Sequence, residues 1–253
     1  MDVQYDDEHV LPSVDEALAL ARTVGVTKVI QVGCDVTSSQ WAAETAHSYP
    51  DVWAAVALHP NAAAHDSNLE VSLAQIRDLA KLPQVRAIGE TGLDYFRTPP
   101  ELQELQHHSF RAHIEIAKAA GKALVIHDRD AHDDVVRILD EVGAPDTVVF
   151  HCFSGGVELA KICADRGWYT SFSGTVTFKN AQNLRDAAQM MPVDLLLVET
   201  DSPFLTPTPY RGRPNSSALI PLTVRAISAV RGESEQEICQ ALFSNSTRVF
   251  GPF

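Results

Sequence analysis

Four side chains in this sequence have the types and the placement that metal-assisted hydrolysis requires. Two carboxylates and two imidazoles each stand at the end of a different short apolar run: Glu90, Asp201, His127 and His151. Carboxylates and imidazoles bind zinc, manganese and magnesium, and such cations activate water for hydrolysis. Taken singly, each residue has an ordinary structural explanation, because strand-end carboxylates often cap helices and strand-end histidines often bind loops. Four of them in equivalent positions indicate one shared site.

The elements that must position these residues are short apolar runs that alternate with segments of helical periodicity. The runs predicted as strands are 28–33, 52–58, 85–90, 123–128, 147–152, 168–174 and 195–201. The segments predicted as helices are 14–24, 38–48, 69–79, 102–120, 133–142, 158–166, 180–190, 222–230 and 234–243. Apolar strands separated by amphipathic helices predict a parallel sheet covered by helices, either a closed barrel or an open doubly wound sheet.

The polar residues at the strand ends favour the barrel. In a barrel the carboxyl ends of all strands converge on one edge, whereas an open sheet would spread the same side chains apart. The length of 253 residues suits one such domain, and we expect residues 1–253 to form a single barrel of the α/β class. The Pro-, Ser- and Thr-rich segment 202–221 is predicted to be an ordered loop over the same edge.

Four motifs in this chain resemble those of the TatD-type metal-dependent deoxyribonucleases, a family of amidohydrolase-like hydrolases. They are GETGLDYF at 89–96, VIHDRDAHDD at 125–134, HCFSG at 151–155 and ETDSPFL at 199–205. The resemblance extends more weakly to VGCD at 32–35, ALHPN at 57–61 and YRGRPN at 210–215. It covers nearly the whole chain in the order found in the family, and it implies a TIM-type (β/α) barrel.

The resemblance also implies a mechanism. Glu90 would bridge two divalent cations (Mg²⁺, Mn²⁺ or Zn²⁺), with His127 and His151 binding one of them. Asp201 would complete the other site and would orient or deprotonate the attacking water, so that Glu90 and Asp201 are the expected catalytic residues. The expected substrate is DNA, as single strands or ends, cleaved in the 3′ to 5′ direction.

One feature of the family is missing from this sequence. Its members begin with a strand that ends in His-x-His-Leu-Asp, whereas this chain has Met1-Asp2 at the place of Leu-Asp. We therefore expect a barrel without its first strand, open between the strands at 28–33 and 195–201. The cation that those histidines would bind should be held more weakly. An alternative interpretation is a non-catalytic remnant of the family.

Further residues near the same edge are candidates for substrate binding. Arg129 and Arg211 are predicted to contact phosphate, with a surface salt bridge and a solvated loop as the respective alternatives. The resemblance implies that His59 lines the site without binding metal. Asp94 and Asp128 can orient metal ligands or bind surface partners. Three aromatic residues can stack on a base or belong to the core: Tyr95, Phe96 and Phe153.

The composition bounds the function without deciding it. The formal charge of −13 argues against tight binding to duplex nucleic acid, although cations in a carboxylate-rich site present local positive charge to phosphate. Hydrolysis of another ester or amide bond, such as an aminoacyl-tRNA ester, is the main alternative reaction. The four scattered cysteines and the acidic start predict a cytoplasmic protein with reduced thiols, no membrane segment and no obligate protein partner.

Overall fold

The computed structural model describes residues 12–251, which form a parallel sheet covered by helices. The strands are β1 (Val29–Val32), β2 (Val52–Val56), β3 (Val85–Asp94), β4 (Ala123–Arg129), β5 (Val148–Phe150), β6 (Tyr169–Phe172) and β7 (Leu196–Val198). Neighbours in the chain are neighbours in the sheet, and every pair is parallel. All seven predicted strands are therefore confirmed, with ends that shift by a few residues.

The helices follow the strands and cover the outer face of the sheet, and we call this layer the wall. They are α1 (Val14–Arg22), α2 (Val36–Ser48), α3 (Pro60–Ala64), α4 (Leu69–Leu79), α5 (Gln103–Ala120), α6 (His132–Val142), α7 (Val157–Arg166), α8 (Gln182–Met190), α9 (Ile220–Arg231) and α10 (Glu235–Phe250). The short α3 was not predicted, and α10 continues beyond its predicted end. Ser234 and Glu237 form the capping box expected at its start.

Alternating side chains along the strands divide the core between the two faces of the sheet. In β4, Leu124 and Ile126 pack with the helices, whereas Ala123 and Val125 face the interior. One interior cluster joins residues from β2 to β7 and from the end of α10: Ala55, Ala87, Ala123, Val125, Val149, Tyr169, Leu197 and Val249. The sheet must curl for these strands to share one small cluster.

Within residues 12–251, β1 and β7 each pair with a strand on one side only. The predicted absence of a first strand concerns residues 1–11, which lie outside the described range, and it stays a prediction. The carboxyl ends of the strands and the loops after them form one edge of the sheet. We call this edge the mouth, and it comprises residues 33–35, 57–61, 90–98, 127–131, 151–156, 173–181 and 199–216.

Candidate metal centre

Glu90 lies among imidazole side chains that come from neighbouring strand ends. His151 Nε2 is 2.6 Å from Glu90 Oε2. His127 Nδ1 lies 3.8 Å from the same oxygen, and His59 Nε2 lies 3.8 Å from Oε1. Asp201 Oδ1 is 4.0 Å from His151 Nε2. The structure thus brings together the four residues predicted to bind metal and places His59 beside them.

The alternation of β4 and β5 explains the direction of two of these histidines. Val125 and Val149 face the interior, and His127 and His151 follow them at a spacing of two residues. Side chains at this spacing point to the same face of a strand. The interior row of each strand therefore changes from apolar to imidazole where the strand reaches the mouth.

Glu90 lies within β3, because this strand continues past its predicted end at residue 90 to Asp94. The continuation depends on glycines that let β3 approach β4 closely. A Cβ at Gly92 would lie 2.0 Å from the carbonyl oxygen of His127, and one at Gly89 would lie 2.4 Å from Val125 Cβ. The sheet register also shifts between Ile88 and Thr91. The contact between β3 and β4 thus sets the position of Glu90 relative to His127.

The cluster fits a divalent cation. One nitrogen or oxygen from each of His59, Glu90 and His127 can be chosen so that all three lie within 4.8 Å of one another. Glu90 Oε2 is buried and has no partner in hydrogen-bonding geometry, despite the short approach of His151. Burial lowers the pKa of His59 to about 4, which keeps its imidazole neutral, as metal ligation requires. His59, predicted to bind substrate, is therefore also in position to bind metal.

Carboxylates behind the histidines fix the orientation of their rings. Asp94 Oδ2 lies 3.3 Å from His127 Nε2, and Glu199 Oε1 lies 2.8 Å from His151 Nδ1. The backbone N–H of Cys152 also donates to Glu199 Oε1, at 3.0 Å. Such carboxylate–histidine pairs set the tautomer and raise the basicity of metal-binding imidazoles.

The charges at the centre stabilise one another. Burial alone would raise the pKa of Glu90, but the positive charge of His151 and the close approach of the His151 and His127 rings hold that pKa well below its usual value. Burial would lower the pKa of His151, but Glu199 and Glu90 raise it well above its usual value, so a cation that binds this ring would displace a proton from it. Burial, helped by the nearby carboxylates of Glu90 and Glu199 and opposed by His151, raises the pKa of Asp201 to about 6.

The two arginines predicted to bind substrate both lie at the mouth and both stack on aromatic rings. The guanidinium of Arg129 is 3.9 Å from the ring centroid of Phe96, and that of Arg211 is 3.7 Å from that of Phe178. Neither arginine has a carboxylate within 4.0 Å among residues 12–251. The salt bridge considered for Arg129 is therefore not formed within this range.

The three aromatic residues considered for base stacking differ in their environments. Phe153 is 2% exposed and belongs to the core. The hydroxyl of Tyr95 donates to Asp134 Oδ2 at 2.5 Å, so this side chain is tied to α6. Phe96 is 63% exposed and remains available to stack on a ligand.

Two residues of the site were missed in the sequence. Glu199, which binds His151, precedes Asp201 by two residues, and this spacing after a strand was the available signal. Cys34 Sγ lies 3.6 Å from Glu90 Oε1. Burial and the neighbouring Glu90 raise the pKa of Cys34 to about 12, so the thiol stays protonated.

Comparison with known proteins identifies the family. A family model described as TatD related DNase matches residues 2–251. The chain belongs to the TatD family. The motifs on which the resemblance rested, 89–96, 125–134, 151–155 and 199–205, all lie within the matched range and include Glu90, His127, His151 and Asp201.

TatD-family relatives match most of their own length as well as most of this chain. An uncharacterized metal-dependent hydrolase TatD from Mycobacterium tuberculosis is 42% identical over 236 residues, covering 91% of this chain and 88% of the relative. The 3′-5′ ssDNA/RNA exonuclease TatD of Citrobacter rodentium is 33% identical over 249 residues, covering 94% of this chain and 91% of the relative. This chain is thus a metal-dependent hydrolase of the TatD family.

The crystal structure of YJJV, a TatD homologue from Escherichia coli, superimposes with a TM-score of 0.89 at 29% identity. The superposition covers 94% of this chain and 92% of YJJV. It confirms the predicted α/β class of TIM-barrel type. Among residues 12–251, no helix is both long and apolar enough to cross a membrane.

Proposed function

We propose that this TatD-family chain hydrolyses phosphodiester bonds in DNA, removing nucleotides from the 3′ ends of single strands. The observation that carries the proposal is the buried Glu90 carboxylate between His127 and His151, with Asp201 at the open side. A relative named as a 3′-5′ ssDNA/RNA exonuclease, 33% identical, supports the substrate and the polarity.

The proposed roles of the residues follow from the atoms with which they can bind metal and from their exposure to solvent. Glu90, His127, His151 and Asp201 would hold two divalent cations, with His59 in reach of the same centre. When bound, such cations activate water and neutralise the charge that develops on phosphoryl oxygens. The Asp201 side chain is 35% exposed, so it can accept a proton from a water that enters from solvent. Asp94 and Glu199 would hold the imidazole rings in place.

The remaining assignments complete the proposal. Arg129 and Arg211 would bind the phosphates of the strand, since neither is neutralised by a carboxylate in the described part of the chain. We expect the enzyme to act in the cytoplasm without an obligate protein partner. Magnesium, manganese and zinc are the candidate metals.

The test uses single-stranded DNA labelled at either end, with Mg²⁺, Mn²⁺ or Zn²⁺ added in turn. We expect 5′-labelled strands to shorten stepwise and 3′-labelled strands to release labelled mononucleotide. EDTA should abolish cleavage, and Glu90→Gln should reduce it by about 10³-fold or more. Glu44→Gln, an exposed carboxylate on α2, is the matched control and should leave the rate unchanged.

The thermal stability of the same proteins gives a second readout. A saturating cation should stabilise the wild type by about 3 kcal/mol at about 100 times its Kd, and Glu90→Gln should lose most of that gain. Cleavage that resists EDTA and survives Glu90→Gln would contradict the mechanism. A metal-stabilised protein that leaves DNA intact but hydrolyses an aminoacyl ester would favour the alternative reaction.

A further inference from the structure

Phe96, which is exposed, and Arg129, which is half-buried, form an aromatic–guanidinium pair beside the metal centre. Phe96 follows β3 by two residues, and Arg129 is the last residue of β4. The N–H of Tyr95 donates to the carbonyl oxygen of Arg129 at 2.9 Å, which joins the two segments. Each member of the pair is two residues from a residue of the centre, Asp94 or His127. A ligand on this pair would therefore lie next to the site of hydrolysis.

The turn that carries Phe96 is anchored on both sides. The hydroxyl of Tyr95 donates to Asp134, and the N–H of Arg97 donates to Asp94 Oδ1 at 2.8 Å. Thr98 N–H donates to the carbonyl oxygen of Asp94 at 3.2 Å. The phenyl ring is thus presented on a fixed turn, and a ligand that stacks on it would order little additional backbone.

The arginines of the wall and of the mouth are paired differently. Arg166 stacks on Trp168 at 4.8 Å, but it also binds Asp140. Arg129 stacks on Phe96 and has no carboxylate partner in the described part of the chain. A stacked guanidinium keeps its N–H edge free for the oxygens of a phosphate. The guanidinium of Arg129 can therefore bind an anionic ligand next to the hydrolytic centre.

We propose that Phe96 and Arg129 form a nucleotide subsite, in which one unpaired base stacks on Phe96 and the adjacent phosphate binds Arg129. This inference rests on the proposed function, and it identifies the residues that would select single-stranded substrate. A base within a duplex has both faces covered by its neighbours, whereas an unstacked base can lie against an exposed ring. The subsite therefore favours single-stranded over double-stranded substrate.

The test measures kcat/KM on single-stranded DNA in which an abasic residue replaces each 3′-terminal nucleotide in turn. One abasic position should reduce the kcat/KM of the wild type by about 5- to 100-fold, because stacking of a base contributes about 1–3 kcal/mol. On unmodified DNA, the kcat/KM of Phe96→Leu should be reduced by the same factor. On DNA with the abasic residue at that position, this variant should lose no further kcat/KM. Phe96→Trp, which keeps an aromatic ring, should have the kcat/KM of the wild type on unmodified DNA and the same sensitivity to the abasic residue.

Matched variants separate the subsite from general effects. Phe243→Leu removes a ring that is 58% exposed on α10 and should behave as the wild type. Arg129→Lys should raise KM, whereas Arg166→Lys in the wall should not. An unchanged kcat/KM for Phe96→Leu, or an undiminished abasic effect in that variant, would overturn the subsite.

A binding measurement keeps this inference distinct from the proposed function. Fluorescence anisotropy of the same labelled strands in EDTA reports affinity without hydrolysis. If the wild type does not cleave DNA, the proposed function fails, and the subsite is then judged by binding alone. Equal affinity of the wild type and Phe96→Leu for unmodified DNA would reject it in that case as well.

Discussion

Two histidines, His151 at the mouth and His113 in the wall, have pKa values that are shifted in opposite directions. His113 lies inside the wall, where the bonds of its ring within residues 12–251 are to the carbonyl oxygen of Ser109, the Ser109 hydroxyl and the N–H of Leu58. Burial lowers its pKa to about 4. His151 at the mouth is equally enclosed, but Glu199 and Glu90 flank its ring, and its pKa rises well above the usual value. Burial therefore sets the direction of the pKa shift for His113, whereas the two flanking carboxylates outweigh burial for His151.

The arginines show the same contrast. In the wall, Arg111 and Arg166 bind carboxylates of a neighbouring helix and Arg137 binds carboxylates of its own helix. In the mouth, Arg129 and Arg211 stack on aromatic rings. A net charge of −13 describes the whole chain and does not show how its charges are distributed between the wall and the mouth. The wall uses ion pairs within the protein, and the mouth keeps cationic groups available for a ligand.

The largest effect on the rate should come from a substitution at the carboxyl end of β7, with the same substitution at its amino end as the control. Asp201→Asn removes the group proposed to accept a proton at the mouth, and it should lower kcat by about 10²- to 10⁴-fold. Asp194→Asn at the amino end of the same strand should leave kcat unchanged. If both variants have the same kcat as the wild type, the proposed role of Asp201 at the mouth is contradicted. Circular dichroism checks that both variants are folded.

The next effect concerns how closely the backbone is packed at the mouth. Gly92→Ala would place a Cβ 2.0 Å from the carbonyl oxygen of His127 at a φ of +140°, and it should cost about 3–5 kcal/mol of unfolding free energy. Gly25→Ala, at a φ of +86° with nothing within 4 Å, should cost about 1–2 kcal/mol. Urea denaturation measures both. A smaller loss for Gly92→Ala than for Gly25→Ala would contradict the close contact of β3 and β4.

A third prediction uses the pH dependence of stability to test the wall histidine. The pKa of His113 falls from 6.5 in the unfolded chain to about 4 in the folded one, so the unfolded state takes up more protons between these values. Its contribution is complete above pH 6.5 and is lost as the pH falls towards 4. The loss should be about 3 kcal/mol.

His113→Gln lacks this titration and is the comparison for that measurement. The difference in unfolding free energy between wild type and variant should shrink as the pH is lowered through the window. Carboxylates and other histidines titrate in both proteins, so their contributions cancel in the difference. A pH-independent difference would show that His113 is protonated as readily in the folded state as in the unfolded one.

The smallest effect should come from an ion pair of the wall. Asp140→Asn breaks the contact with Arg166, and it should cost at most about 1 kcal/mol because both groups are largely exposed. The loss should disappear at about 0.5 M salt, where such charges are screened. The kcat/KM on DNA should not change. A change in kcat/KM would show that the wall and the mouth are coupled.

Much of the fold was predictable because the strands are short apolar runs and the helices carry clear amphipathic periods. The extension of β3 beyond Glu90 was not, since it depends on Gly92 lying against β4, a contact between segments that are distant in the chain. The short α3 was missed as well, because five residues that begin with a proline carry little periodicity. Local sequence patterns report neither kind of feature.

The candidate site likewise contains residues that could be predicted from the sequence and residues that could not. Its central residues were predicted from motifs at strand ends, whereas Glu199 was overlooked because its partner His151 comes from a different strand. The burial of Phe153 and the exposure of Phe96 could not be separated either, since both follow strands in similar motifs.

The sequence by itself determined the order of strands and helices, the TatD-family motifs and the side chains that can bind metal. These depend on residue type and on spacing along the chain, which are read directly. The tertiary structure decided which histidines are charged, which arginines lack carboxylate partners and which aromatic ring faces solvent. Each of these depends on neighbours brought together by the curled sheet, because pKa values, ion pairs and exposure are set by distances through space.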